Sequence, residues 1–230
     1  GENDIVAYDI HCSNVYSRER TGYALLTSVP AGRNYFIYDL PSVPDNLFCY
    51  VESKDDANNT ASTTAQAGMY VKHVVPGPNL VSVPFLQKDW SVSMVLGSAR
   101  YSDSWVYDAW NNLWKQNSPF KTYADFSTVD LTMGIWVNST IDGNLLVAGV
   151  VPDETTIQLR RGWNLIGFPS FRQDYQVADF MTDTGATEIE GFDQASPPYY
   201  LRVLASNEFM VAGEAYWVYV PATTAWTIGN

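Results

Sequence analysis

The chain has 230 residues and a formal net charge of −12, from 13 Lys and Arg against 25 Asp and Glu. That balance excludes a nucleic-acid or anionic-membrane partner, because phosphate recognition needs a clustered basic surface. Hydrophobic residues make up 46% and charged residues 17%, enough apolar material for a real core and too much for a disordered chain. With 8 Trp, 15 Tyr and 10 Phe the composition favours strands. The longest apolar run, 145–151, is far short of a membrane-spanning helix, so no membrane insertion is expected. A chain starting at Gly1 without a signal peptide reads as a processed or excised protein.

In chain order, the first 70 residues predict strands at 6–12, 23–28, 35–40, 47–53 and about 63–71, separated by turn-rich segments. Such spacing suits a sandwich. Alternation places Tyr8, Ile10 and Cys12 on one face of their strand, and Leu47, Cys49 and Val51 on one face of theirs. The two cysteines therefore share a face. A disulfide between them and a pair of buried thiols both fit, and the bridge is the expectation.

From residue 72 onward the chain repeats itself. Gly77-Pro78-Asn79-Leu80-Val81-Ser82-Val83-Pro84 returns as Gly162-Trp163-Asn164-Leu165-Ile166-Gly167-Phe168-Pro169. In the same register Asp89-Trp90-Ser91-Val92 becomes Asp174-Tyr175-Gln176-Val177, and Tyr107-Asp108 becomes Phe192-Asp193. Gly134-Ile135-Trp136-Val137 then matches Ala215-Tyr216-Trp217-Val218, with a small drift that implies shorter loops in the second copy. The second copy predicts strands at 155–159, 163–168, 188–192, 199–203, 215–220 and 224–228, with a short helix at 176–182 and its counterpart at 91–97. The expected fold is mainly β: three units, 1–71, 72–152 and 153–230, an incomplete sandwich followed by two homologous small β-domains, barrel or sandwich, each with one short helix.

Residues 1–71 resemble the later strands of a fibronectin type III domain, with Tyr8-Asp9-Ile10 similar to its third strand and 46–53 to its sixth. The resemblance implies that the first strands come from an upstream segment or from another chain. Residues 74–230 resemble a repeat of archaeal and bacterial cell-surface proteins, marked by a Gly-Trp-Asn-Leu entry and a Gly-Tyr-Trp-Val exit, here 162–165 and 215–218 with looser forms at 77–80 and 134–137. It implies extracellular modules without catalysis.

A search for reactive groups returns little. His11 points away from Cys12 on its strand, so the two cannot grip one metal, and neither a metal site nor a cofactor is expected. His73 lies beside the first repeat entry, and no phosphate, dinucleotide, zincin or hydrolase motif occurs. Asp89 and Asp174 are placed to cap the short helices, while Asp108 and Asp193 end strands at turns. Asp55-Asp56, Asp153-Glu154 and Asp179 with Asp183 are acidic pairs to weigh as calcium ligands, but none follows an EF-hand loop, and solvated turns are the expectation. Asn58 and Asn138 head glycosylation sequons. Trp110, Trp114, Tyr199 and Tyr200, with Trp90, are the candidates for stacking on sugar rings, whereas Trp136, Trp163 and Trp217 are expected to be buried. The function these readings favour is a non-catalytic extracellular building block of a surface layer, sheath, filament or stalk. Its partners would be copies of itself or neighbouring surface domains, possibly assembling by strand complementation. The alternative is a carbohydrate-binding or adhesion module of a larger secreted protein.

Overall fold

A computed structural model describes residues 4–33, 35–37, 39 and 44–230. The protein is mainly β, with several antiparallel sheets and, among the described residues, two short α-helices. Among the described residues no helix is long and apolar enough to cross a membrane.

The first sheet contains β1 (Ile5–Ser13), β2 (Ala24–Pro30), β3 (Asn46–Asp55), β4 (Thr60–Ser62), β5 (Ala67–Val74) and β10 (Gly143–Val150). Its order is β10-β5-β3-β1-β2, and β4 lies against the far half of β3. From Ala7 to Ser13 the central pair β1–β3 keeps one register, with Ile10 facing Val51 and Cys12 facing Cys49. A strand expected at 35–40 falls partly outside the described residues; Tyr35, Phe36, Ile37 and Asp39 form none.

Position 71–72, where a boundary was expected, lies inside β5. That strand bonds to β3 through Ala67 to Tyr70 and to β10 along its whole length, so one sheet runs from the first unit into the second. The first repeat continues with β6 (Gly77–Val81), α1 (Val92–Leu96) and a 3-10 turn at Gly97–Ala99. β7 (Tyr101–Asp108), β8 (Leu113–Asn117) and β9 (Ile135–Ser139) follow before β10. The second repeat runs β11 (Glu154–Leu159), β12 (Gly162–Gly167), α2 (Val177–Thr184), β13 (Glu188–Phe192), β14 (Leu201–Val203), β15 (Ala215–Val220) and β16 (Thr224–Gly229). Each repeat has the same plan: a four-stranded sheet, β6-β9-β7-β8 or β12-β15-β13-β14, and a separate pairing of first strand with last, β5 with β10 or β11 with β16.

The entry motif has a physical basis that is the same in both copies. Asn79 is buried, accepts from the Val75 N–H at 3.0 Å, and donates to the Val75 and Gly77 carbonyls at 2.7 and 2.9 Å. Asn164 does the same with the Arg160 N–H at 2.9 Å and the Arg160 and Gly162 carbonyls at 2.8 and 3.0 Å. These side chains satisfy the backbone of a tight turn that cannot join a ladder. The preceding glycines, at φ +98° and +102°, adopt a backbone conformation that L side chains rarely take.

The cores are not confined to the units. Phe48 of the first sheet, Phe85 of the first repeat and Phe171 of the second meet, with Phe171 at 4.8 Å from each of the other two ring centroids. A second core fills the last repeat around Phe168, Phe180 and Trp226, the last only 1% exposed. The indole N–H of Trp226 donates to the Tyr175 hydroxyl at 2.9 Å, which itself donates to the Asp183 carboxylate at 2.6 Å.

Candidate functional site

In antiparallel sheets, residues directly opposite one another share a face. Leu80, Trp136, Trp105 and Gln116 are such neighbours across β6, β9, β7 and β8, and Tyr107 faces Trp114. In the second sheet the matching row is Leu165, Trp217, Glu190 and Val203. These rows lie on the side of each sheet opposite its buried Asn79 or Asn164, and the two sides face each other around Leu80, Leu165 and Ala215.

The contact is reciprocal. Tyr107 of the first repeat packs on Trp217 of the second at 5.1 Å, and the equivalent Phe192 of the second packs on Trp136 of the first at 6.0 Å. Likewise the Ser82 N–H donates to the Gly213 carbonyl at 2.8 Å, and the Gly167 N–H donates to the Thr132 carbonyl at 3.0 Å. The two repeats therefore meet through equivalent surfaces, as subunits of a two-fold dimer do.

Beside this contact lies an open groove of about 620 Å³. Its walls are Trp105, Trp114, Trp136 and Trp217 from the strands, Tyr199, Tyr200 and Leu201 from the segment entering β14, and Pro78, Val137, Asn138 and Pro198. None of these side chains is an acid, a lysine, an arginine or a histidine, so the groove offers planar rings and an amide but no carboxylate or imidazole for proton transfer. Trp114 packs edge-on against Trp217 at 5.6 Å, and Trp217 continues to Trp163 at 6.3 Å.

Two aspartates hold the groove's projecting rings. The Asp108 carboxylate accepts from the Asn111 N–H at 3.1 Å and its Nδ2 at 2.9 Å, and from Lys115 at 2.8 Å, fixing the hairpin that carries Trp114. The Lys115 bond, then that from the Asn111 side chain, holds Asp108 well below the usual carboxylate range, at about 2. Asp193 accepts from the Ser196 hydroxyl at 2.7 Å and the Ala195 N–H at 2.9 Å, while its own N–H donates to the Tyr200 carbonyl at 2.7 Å. Those bonds, the Ser196 hydroxyl first, lower its pKa as well.

Of the four residues nominated for sugar stacking, Trp114, Tyr199 and Tyr200 line this groove, with Trp114 51% and Tyr199 79% exposed. Trp110 does not. It sits on the β7–β8 turn, 54% exposed, and its carbonyl and that of Ala109 accept from the Arg160 guanidinium. Trp90 packs against the shared core. The expected burial of Trp136, Trp163 and Trp217 is corrected: all three are only partly buried. Within 215–218 the inward residues are Tyr216 and Val218, and within 162–165 the inward residue is Asn164, so alternation turns each tryptophan off its own core. Trp105, Trp136 and Trp217 were thus missed as groove residues; their cross-strand partners, which the sequence does not display, are what bring them together.

The remaining nominated residues fall as follows. Cys12 and Cys49 are joined by a disulfide across β1 and β3. Asn58 is exposed on the β3–β4 turn, whereas Asn138 is part of the groove wall and donates to the Ser102 hydroxyl at 3.1 Å. The helix caps differ from expectation. Asp89 accepts from the N–H of Ser91, which is itself the N-cap of α1, and Asp174 pairs with Arg172 at 3.0 Å. In α2 the Gln176 N–H is satisfied by Asp179 at 2.8 Å. Asp55 organises its own turn through Ala57 and Asn59, and Asp183 is taken by Tyr175. His73 is exposed and pairs with Asp142 at 3.2 Å.

No family model, curated protein or solved structure matches the chain.

Proposed function

We propose that the protein is a non-catalytic extracellular module that binds carbohydrate, and that the groove between its two repeats receives an uncharged stretch of a glycan chain. The observation carrying this reading is the convergence of four tryptophans and two tyrosines from both repeats on one open, uncharged groove. Sugar rings present apolar C–H faces that stack on such planes, and the hydroxyls around the ring rim stay accessible to water and to the Asn138 amide. The Cys12–Cys49 disulfide supports an oxidising exterior. Glycan-array binding of the wild type is the test, with Trp114→Ala and Tyr199→Ala as variants; both rings are exposed, so their removal leaves the fold in place. Binding to a defined glycan class that falls at least tenfold in both variants is the expected outcome. Binding that survives both, or none at all, rejects the groove as a glycan site.

A second reading, a structural unit of a surface layer, sheath or filament, is favoured by the first sheet. Tyr8, Ile10, Val29 and Val51 line a pocket of about 460 Å³ on its face together with Gly32, Arg33, Tyr35 and Phe36 of the following segment, and among the described residues β2 is the last strand of the sheet. An edge and face of this kind suit a strand from another copy, the strand complementation that the fibronectin-like resemblance implies. Electron microscopy of the purified protein across a concentration series separates the readings: filaments support assembly, and monomers at every concentration exclude it.

A further inference from the structure

The β1–β3 register brings together three side chains that are scattered in sequence. Asp9 stands opposite Glu52, and His11 is two residues along from Asp9, so all three share a face. One ligating atom from each lies within 4.8 Å of the others, and all three residues are partly buried. No hydrogen bond joins them among the described residues. The Nε2 atom of His11 is buried with no hydrogen-bond partner among the described residues. Its ring is held by stacking on Tyr50, 5.0 Å away and inclined by 6°, and Tyr50 in turn carries the Arg20 guanidinium at 4.3 Å. Glu52 accepts one bond, from the Ser62 hydroxyl at 3.0 Å. Two carboxylates beside an imidazole nitrogen form a donor set of the kind that transition-metal cations take.

We propose that Asp9, His11 and Glu52 bind one divalent transition-metal cation, of the zinc class, which cross-links β1 to β3. Metal–ligand bonds of about 2.0–2.2 Å place neighbouring ligands roughly 3 to 4.4 Å apart, so atoms lying within 4.8 Å of one another need only small side-chain adjustments to close on one ion. The imidazole ligand favours zinc or cobalt over calcium and magnesium, which take oxygen ligands, and admits manganese more weakly. The stacked Tyr50 fixes the ring's orientation, as outer partners of metal-bound histidines do. The disulfide occupies the opposite face of the same strand pair, so the cation and the bridge clamp β1 to β3 from both sides. The carbohydrate groove lies on other strands, and the two assignments stand independently.

Isothermal titration of the disulfide-intact protein with zinc chloride, with calcium chloride in parallel, tests the site. One equivalent of zinc is expected to bind, to raise the melting temperature and to outcompete calcium. Asp9→Asn and His11→Gln are expected to weaken zinc binding at least tenfold, while His73→Gln, at the exposed His73–Asp142 pair, leaves it unchanged. Manganese added to the unmutated protein gives a readout that needs no variant to fold: the ring-proton resonances of His11 broaden first. Absence of saturable zinc binding, binding indifferent to His11→Gln, or manganese broadening that favours His73 overturns the proposal.

Discussion

Asn79 and Asn164 allow the duplicated architecture to be tested at one matched pair of positions. Truncation to alanine removes three hydrogen bonds in each case and leaves one N–H and two carbonyls of a turn without their partner. At about 1 kcal/mol net per bond the loss is about 3 kcal/mol for either Asn79→Ala or Asn164→Ala. For a chain of this length that corresponds to a fall in melting temperature of about 6–12 °C. Asn164→Asp should cost more than Asn164→Ala, because it keeps the acceptor for Arg160 but sets a carboxylate against the two carbonyls that the amide had been donating to. Urea unfolding followed by tryptophan fluorescence gives the free energies, and an unchanged slope would show that the compactness of the end states is preserved. The reasoning is refuted if either alanine variant lies within about 0.5 kcal/mol of the wild type, or if the two differ by most of their mean, since equivalent bonding requires similar costs.

Four further outcomes are expected. Phe171→Ala, which empties the meeting point of three rings, should cost about 3–5 kcal/mol, and because that core is shared by all three parts, fluorescence and near-UV circular dichroism should still report one coincident unfolding transition. Replacing Cys12 and Cys49 by serine, or reducing the bridge, should cost about 2–4 kcal/mol for a closed loop of this size, measured by denaturation with and without reductant. Asp108 has a lowered pKa, so its contribution is complete above the ordinary carboxylate range and disappears as pH falls toward about 2; Asp108→Asn should flatten the acid limb of a stability–pH profile. Glu190 behaves in the opposite sense: burial, and next the Glu188 charge, raise its pKa, so stability is lost as pH rises through that value, and Glu190→Gln should be more stable than wild type at neutral pH.

Strands β13 and β15 and helix α2 were legible in the sequence because each carries its own punctuation. Glu188–Phe192 alternates, Ala215–Val220 is an apolar run bounded by Gly213 and Pro221, and Val177 and Phe180 lie at helical spacing before Gly185. The continuity of the first sheet was not legible, because β5 pairs with β10 through contacts such as Val74 with Gly143, and nothing local to residue 71 announces them. The groove was half legible. Trp114, Tyr199 and Tyr200 stand in or beside polar turns where an aromatic is conspicuous, whereas Trp136 and Trp217 sit inside apolar strand motifs, which point to burial until alternation and cross-strand pairing are known. For Asp9, His11 and Glu52 the spacing of the first two on one strand was visible, but the third joins them only through register.

The central claim, that the groove between the repeats is the binding surface, is tested most directly by the indole N–H resonances of the tryptophans on titration with the glycan selected on the array. The account predicts shifts at Trp105, Trp114, Trp136 and Trp217, with Trp90, Trp110 and Trp226 unmoved. Shifts confined to Trp90, Trp110 or Trp226, or an unperturbed spectrum at saturating glycan, would contradict it.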